Sequence, residues 1–265
     1  MTNWTIKTLF LGYTEANNGA GLKGSIPFFG YYLTDGHRKI LCDNGVQTGY
    51  FVNDKSPFGF PAFGDEAHML KALKGIGVRP EEIEIVIYTH FHWDHVGNCH
   101  LFPKATHVFQ DAEWKDYIDP LPSMKLMGVY DQRTIPVFKD LKHQQRVAGD
   151  IQFLEGLELL YTPGHSGGHQ CLRVKTRDGD YIISGDLFGT RFCAYPETTE
   201  WVLLDGTVTQ QATPEFKQWY GKIFSATVFD HYAWYRSQIR IKALLTRPEF
   251  LIYSHEPSQN DRTFG

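Results

Sequence analysis

The side chains best suited to chemistry are crowded into one short run of this chain. It reads Thr89-His90-Phe91-His92-Trp93-Asp94-His95, with four residues of metal-binding type in six positions. Imidazole and carboxylate together form the donor set of zinc and other borderline divalent metals. The run follows Ile83-Glu84-Ile85-Val86-Ile87-Tyr88, a β-branched stretch of the length expected of a buried strand. An extended backbone sends residues i and i+2 to the same side, so His90 and His92 are expected to hold one ion as a pair. In a helix they would lie roughly 200° apart around the axis and could not. Asp94 and His95 come where the chain must turn before a helix, and are expected to face a second ion.

Three later segments carry strand-like runs into residues of the same type. Leu159-Leu160-Tyr161 leads into Thr162-Pro163-Gly164-His165-Ser166-Gly167-Gly168-His169, Ile182-Ile183-Ser184-Gly185 into Asp186, and Leu251-Ile252-Tyr253-Ser254 into His255. The glycines let the backbone bend sharply and approach closely. Ser166 and Ser184 read as turn residues, and no serine or cysteine triad is recognisable. His37, His68, His100, His107, His143 and His231 lack such a pattern and are expected to be structural or exposed. Cys42, Cys99, Cys171 and Cys193 form no C-x-x-C pair and read as buried free thiols of a reducing compartment. Cys99, four residues after His95, is placed near the site but not in it.

The elements that must position these residues alternate. Thr5 to Tyr13 reads as a strand, and Gly30 to Thr34 with Lys39 to Asp43 as a hairpin about Asp35-Gly36-His37. Asp65 to Ile76 reads as a helix with Ala67, Leu70, Ala72, Leu73 and Ile76 apolar, followed by a turn at Arg79-Pro80-Glu81-Glu82. A short strand, Thr106 to Phe109, and a helix from Asp111 follow. Residues 119 to 146 have poor periodicity and are expected to form a lid or an excursion carrying some helix. Strands at Ile151 to Leu154, Leu157 to Tyr161, Gln170 to Lys175 and Tyr181 to Ser184 come next. Helices at Pro214 to Phe229 and Arg236 to Leu245 precede a closing strand, Phe250 to Tyr253. Two mixed sheets packed face to face, with helices outside, fit this order.

Within 265 residues no repeat or linker divides the chain, so a single domain spanning 1–265 is expected. A net charge of −4 gives no basic stripe for nucleic acid and no polybasic membrane anchor. No segment reads as a signal peptide or approaches the roughly 18 consecutive apolar residues of a membrane span, so a cytoplasmic enzyme is expected.

The order His-x-His-x-Asp-His, Gly-His turn, aspartate after glycine and late histidine resembles the metallo-β-lactamase superfamily over nearly the whole chain. The resemblance implies an α/β fold, the αβ/βα four-layer sandwich, with a dinuclear site at the edge between the sheets. It implies His90, His92 and His165 as ligands of one metal, Asp94, His95 and His255 as ligands of the other, and Asp186 as the bridge. His169 matches a second histidine of the turn and is expected to orient the loop. Two divalent ions, zinc or else manganese, iron or cobalt, would ionise a shared water near neutral pH. Asp94 is the expected catalytic residue, moving a proton to the leaving group.

Within the superfamily the chain is most similar to the N-acyl homoserine lactonase group, through Thr162 to Gln170, Ser254-His255-Glu256-Pro257, and its length. That implies hydrolysis of a small-molecule ester, the ring of an acyl or aromatic lactone. The group often carries a tyrosine three residues after the bridging aspartate, where this chain has Gly189; Tyr195 or a tyrosine from another loop is expected to replace it. Ser184-Gly185-Asp186-Leu187-Phe188 also resembles the signature of glyoxalase II thioesterases, the alternative reading. A persulfide dioxygenase using one iron would need only His90, His165 and Asp186 occupied. The aromatic loop Phe51 to Phe63 is expected to pack over the sheet edge, to wall an acyl pocket with Tyr117, Met124, Met127, Tyr130, Phe192 and Trp201, or to serve a homodimer interface.

Overall fold

The structure, a computed structural model, describes residues 3–17, 23–195, 197–210 and 228–265. Strands β1 (Thr5–Asn17) and β2 (Lys23–Thr34) form a long antiparallel hairpin, and β3 (Lys39–Cys42) follows β2. The turn between them forms because Asp35 Oδ1 accepts from the His37 and Arg38 amides while Gly36 takes a positive φ of 91°. The short β4 (Ala62–Phe63) pairs with β1. Helix α1 (Glu66–Gly75) starts where Asp65 accepts from the His68 amide. It buries Met69 and Leu73, whereas Leu70, expected on the apolar face, is 38% exposed.

Strand β5 (Ile85–Ile87) is shorter than the run 83–88, because Ile83 closes a 3₁₀ turn at Pro80–Glu82. Next come α2 (Trp93–Val96), β6 (Thr106–Gln110) and α3 (Asp111–Ile118). The excursion holds α4 (Pro122–Met127) and α5 (Thr134–Asp140), then returns as β7 (Gln144–Val147) to extend the sheet, a strand the periodicity did not reveal. The second strand series is β8 (Ile151–Leu154), β9 (Leu157–Tyr161), β10 (Gln170–Lys175) and β11 (Asp180–Ile183).

Helix α6 (Arg191–Ala194) and the hairpin of β12 (Glu200–Val202) and β13 (Val208–Gln210) follow. The helix expected at Pro214 to Phe229 lies outside the described residues except for 228–229. Helix α7 (His231–Leu244) begins five residues before the expected Arg236, since Asp230 caps it through the Ala233 amide. Strand β14 is Leu251–Ile252, and the described chain closes on an unforeseen β15 (Thr263–Phe264), which pairs with β1.

The first sheet runs β15-β1-β2-β3-β5-β6-β7, with β4 on β1; the second runs β14-β11-β10-β9-β8. Both are mixed. Side-chain alternation explains the layers. In β3, Ile40 and Cys42 point into the core between the sheets and Leu41 into the core beneath the outer helices. Val86 and Ile87 of β5 divide in the same way. A third cluster, with Leu160, Cys171, Ile182 and Leu251, packs the second sheet against Trp234 and Ile241 of α7. The layers are therefore helix, sheet, sheet, helix.

Candidate metal centre

Strands of like direction bring their C-terminal ends to one edge. β3 and β5 are parallel in the first sheet. In the second, β9 and β11 both run antiparallel to β10, and β14 is parallel to β11. The segments leaving β5, β9, β11 and β14 carry all seven expected ligands. Loops beyond strand ends are free of ladder hydrogen bonds, so their side chains can converge there.

They converge as two groups. In the first, His90 Nε2 and His92 Nδ1 lie 3.2 and 2.9 Å from His165 Nε2. Tetrahedral nitrogen ligands at ~2.0–2.1 Å from one zinc stand ~3.3 Å apart, so this spacing suits a shared cation. Asp186 Oδ2 completes the group, 3.2 Å from His165 Nε2 and 3.9 Å from His90 Nε2. Burial, reinforced by the neighbouring imidazoles, holds His90 and His92 well below the usual histidine range, so both are neutral donors.

The second group is Asp94, His95 and His255. Asp94 Oδ2 is 3.6 Å from Nε2 of both histidines. Asp186 reaches here with its other oxygen, Oδ1, 3.0 Å from His255 Nε2 and 3.4 Å from His95 Nε2. His95 Nε2 is fully buried without a hydrogen-bond partner among the described residues. Such a nitrogen, facing two carboxylates, fits a site built for a cation. Asp186 thus spans the two groups, one oxygen to each.

The sequence model of the metallo-beta-lactamase superfamily matches residues 57–255, well over half of the chain. The chain belongs to that superfamily. An N-acyl homoserine lactonase of Bacillus cereus is 27% identical over 166 residues, covering 60% of this chain and 62% of the relative. The lactonase AttM of Rhizobium radiobacter is 26% identical over 168 residues, again covering 60% and 62%. The chain thus spans a little under two thirds of the length of these curated relatives. Among solved structures, AiiA of B. thuringiensis with N-decanoyl-L-homoserine bound superposes with a TM-score of 0.71 at 21% identity, covering 98% of this chain and 96% of that one. A quorum-quenching N-acyl homoserine lactone lactonase gives 0.70 at 21%, covering 98% and 95%. At that identity the likeness is one of fold.

In this metallo-beta-lactamase fold the ligand-type side chains are held by residues that sequence reasoning did not single out. Asp43, just past β3, accepts from the Thr89 amide and hydroxyl, each at 2.8 Å, and from His95 Nδ1 at 2.9 Å. It fixes the His95 tautomer and leaves Nε2 free. The carbonyl of Pro27 does the same for His255, accepting from Nδ1 at 2.8 Å. Ser254 donates to Asp186 Oδ1 at 2.6 Å. Glu113 of α3 accepts from the Phe91 amide at 2.8 Å and from the Ser166 hydroxyl at 2.5 Å. Burial pushes its carboxyl up to about 7. The available signals were Asp43 before Gly45 at a strand end and an acid in the first turn of a helix, and both also fit ordinary caps.

Other expectations resolve in the packing. His169 belongs to neither group; its Nδ1 meets the Thr162 hydroxyl at 2.8 Å. Cys99 is buried in the core beneath the helices, His107 is buried, and His37 and His143 are exposed. Ser184 donates within its turn and to the Ile252 carbonyl. Tyr195 packs with the core under α7, its ring 4.7 Å from Lys242 Nζ, and does not join the site. Tyr130 stands beside it instead, its ring 5.1 Å from that of His92.

The expected wall divides. Tyr117 and Met124 are core residues, and Phe192 stacks on the buried Trp201. Within the aromatic loop, Phe51 packs on Trp93 and Phe28, and Phe28 in turn meets the edge of His255. Val52 and Phe58 of the same loop are exposed.

Proposed function

We propose that the chain is a dinuclear metal-dependent hydrolase that opens the ester ring of a lactone, with N-acyl homoserine lactones as the first class to test. His90, His92 and His165 would hold one ion and Asp94, His95 and His255 the other, with Asp186 shared. The observation that carries the reading is Asp186, whose two oxygens each face a different set of imidazoles. Zinc is the metal we favour, from the histidine-rich donor set. When bound, the ions supply hydroxide near neutral pH and Lewis acidity toward a carbonyl.

The chain's own residues do the rest. Asp94 turns Oδ2 toward His95 and His255, leaving Oδ1 to carry a proton to the leaving alkoxide. Phe51, partly exposed over the buried Phe28 and Trp93, puts an apolar surface near His255 that suits an acyl chain. Support for the lactone comes from the named lactonases among the relatives. We read the chain as one cytoplasmic domain, acting without nucleic acid, and as a homodimer through the loop bearing Val52 and Phe58. No helix among the described residues is long and apolar enough to cross a membrane.

The test is hydrolysis of acyl homoserine lactones, glutathione thioesters and aryl esters side by side, with metal content measured on the same sample. Metal-dependent lactone turnover above the other two is the expected result. Faster thioester turnover moves the assignment to the glyoxalase II kind. A single iron per chain with persulfide oxidation removes the hydrolase reading.

A further inference from the structure

Glu113 is 1% exposed and makes no ion pair among the described residues, yet four donors converge on it. Its Oε1 accepts from the Phe91 amide at 2.8 Å and the Tyr130 hydroxyl at 3.4 Å. Its Oε2 accepts from the Ser166 hydroxyl at 2.5 Å and the Gly168 amide at 3.1 Å. The places of these donors along the chain matter more than their number. Phe91 lies between His90 and His92, and Ser166 directly follows His165. One carboxylate therefore joins the loop leaving β5 to the loop leaving β9, which come from different sheets.

The surroundings make this junction tight. A Cβ on Gly168 would overlap the main chain of Glu113, so the first turn of α3 lies directly against the His165 loop. One turn on, Asp116 Oδ2 accepts from the Gly167 amide at 2.8 Å. The excursion is tied to the same point, since the Trp93 amide donates to the Val129 carbonyl at 3.0 Å, next to Tyr130. Fixed ligand spacing of this kind has to hold within about 0.5 Å to be useful.

We propose that Glu113 is a positioning residue that sets the gap between the His90/His92 loop and the His165 loop, and so the affinity of the first metal group. This rests on the metal reading of those three histidines. An amide cannot replace the carboxylate. Each oxygen of Glu113 receives two donors, and the NH₂ of a glutamine would face donors with a donor. Asp94, His95 and His255 make no hydrogen bond to Glu113, so the second group feels its loss less than the first.

The experiment titrates metal-free protein with cobalt(II), following visible absorption and heat. Wild type, Glu113→Gln, Ser166→Ala and the core variant Val174→Ala are compared, and the first-group event is identified as the one surviving in His255→Ala. Glu113→Gln is expected to weaken that event by roughly 10–100-fold and shift its cobalt absorption, with the other event less affected. Ser166→Ala, which removes one donor, gives a smaller loss at the same event. Val174→Ala, buried between the sheets at the far end of β10, lowers the unfolding midpoint without changing either affinity. Unchanged binding by Glu113→Gln overturns the proposal, and so does an equal loss at both events shared with Val174→Ala. A wild-type chain that binds no cobalt overturns both this proposal and the metal reading beneath it.

Discussion

The two ligand groups use the same side-chain types but are held differently. In the first, His90 and His165 are fully buried and His92 is 3% exposed. Their loops are stitched together between the sheets by Glu113 and by the close approach of Gly168 to α3. In the second, the side chains of His95 and Asp94 are buried, at 1% and 8% exposure, and that of His255 is 14% exposed; Asp43 and the Thr89 hydroxyl meet Nδ1 of His95, and the Pro27 carbonyl accepts from His255. The first group is fixed by the packing that folds the chain, whereas the second keeps one imidazole, His255, partly exposed. Asp186, common to both, is where the contrast can be tested.

The largest expected effect follows from breaking that common element. Asp186→Ala should lose both ions and reduce lactone turnover more than about a hundredfold, beyond what loss of an orienting partner costs. His92→Ala should strip the first group in the same way while the far-ultraviolet circular dichroism stays native. Either variant keeping most of its metal and turnover would mean the ligand assignment is wrong.

Asp94→Asn sharpens the comparison from the second group. A lost proton carrier costs about 10²–10⁴ in rate, so kcat should fall much further than metal content. Parallel losses would make Asp94 a ligand and nothing more. Asp43→Asn probes how the second group is oriented. Asparagine tolerates the positive φ of 57° at this position, so the fold should survive while the second ion binds roughly 10–100-fold more weakly. Asp43 also holds Thr89, whose hydroxyl lies 3.0 Å from His90 Nδ1, so a smaller weakening at the first group should accompany it; unchanged binding at the second would remove Asp43 as the support of His95.

The remaining effect bears on stability alone and lies in the core behind the buried group. Burial pushes the His107 imidazole down to about 4. The Phe102 carbonyl accepts from Nε2 at 3.0 Å, which leaves Nδ1 to accept from the Tyr88 hydroxyl at 2.8 Å. The native protein therefore refuses a proton that the unfolded chain takes up. Stability is complete above about pH 6.5 and falls, by up to about 3 kcal/mol, as the pH drops toward 4. Urea unfolding of His107→Gln across this window should give a flatter curve than wild type. Parallel curves would remove His107 from the account.

What the sequence revealed and what it hid follow from one distinction. The ligand-type residues were legible because their chemistry is uncommon and each sits three to eight residues beyond the end of a strand, as His90 does after Ile87 and His255 after Ile252. The sheets were legible from alternation, as in Ile40, Leu41 and Cys42. Strand β7 was not, because three of its four residues are at least partly exposed and carry no period-two signal. The pairs β12–β13 and β15 are too short to show a period. Asp43 and Glu113 escaped because an acid at a strand end or a helix start has an ordinary local use. Their role comes from loops far away in the chain, Thr89 and His95 for one and Phe91 and Ser166 for the other.

The most direct test of the whole account is the number of transition-metal ions per chain in purified wild-type protein and in Asp186→Ala, measured by elemental analysis. The account predicts two ions in the wild type and fewer than one in the variant. A wild-type chain without stoichiometric metal, or a variant that keeps both ions, would contradict it.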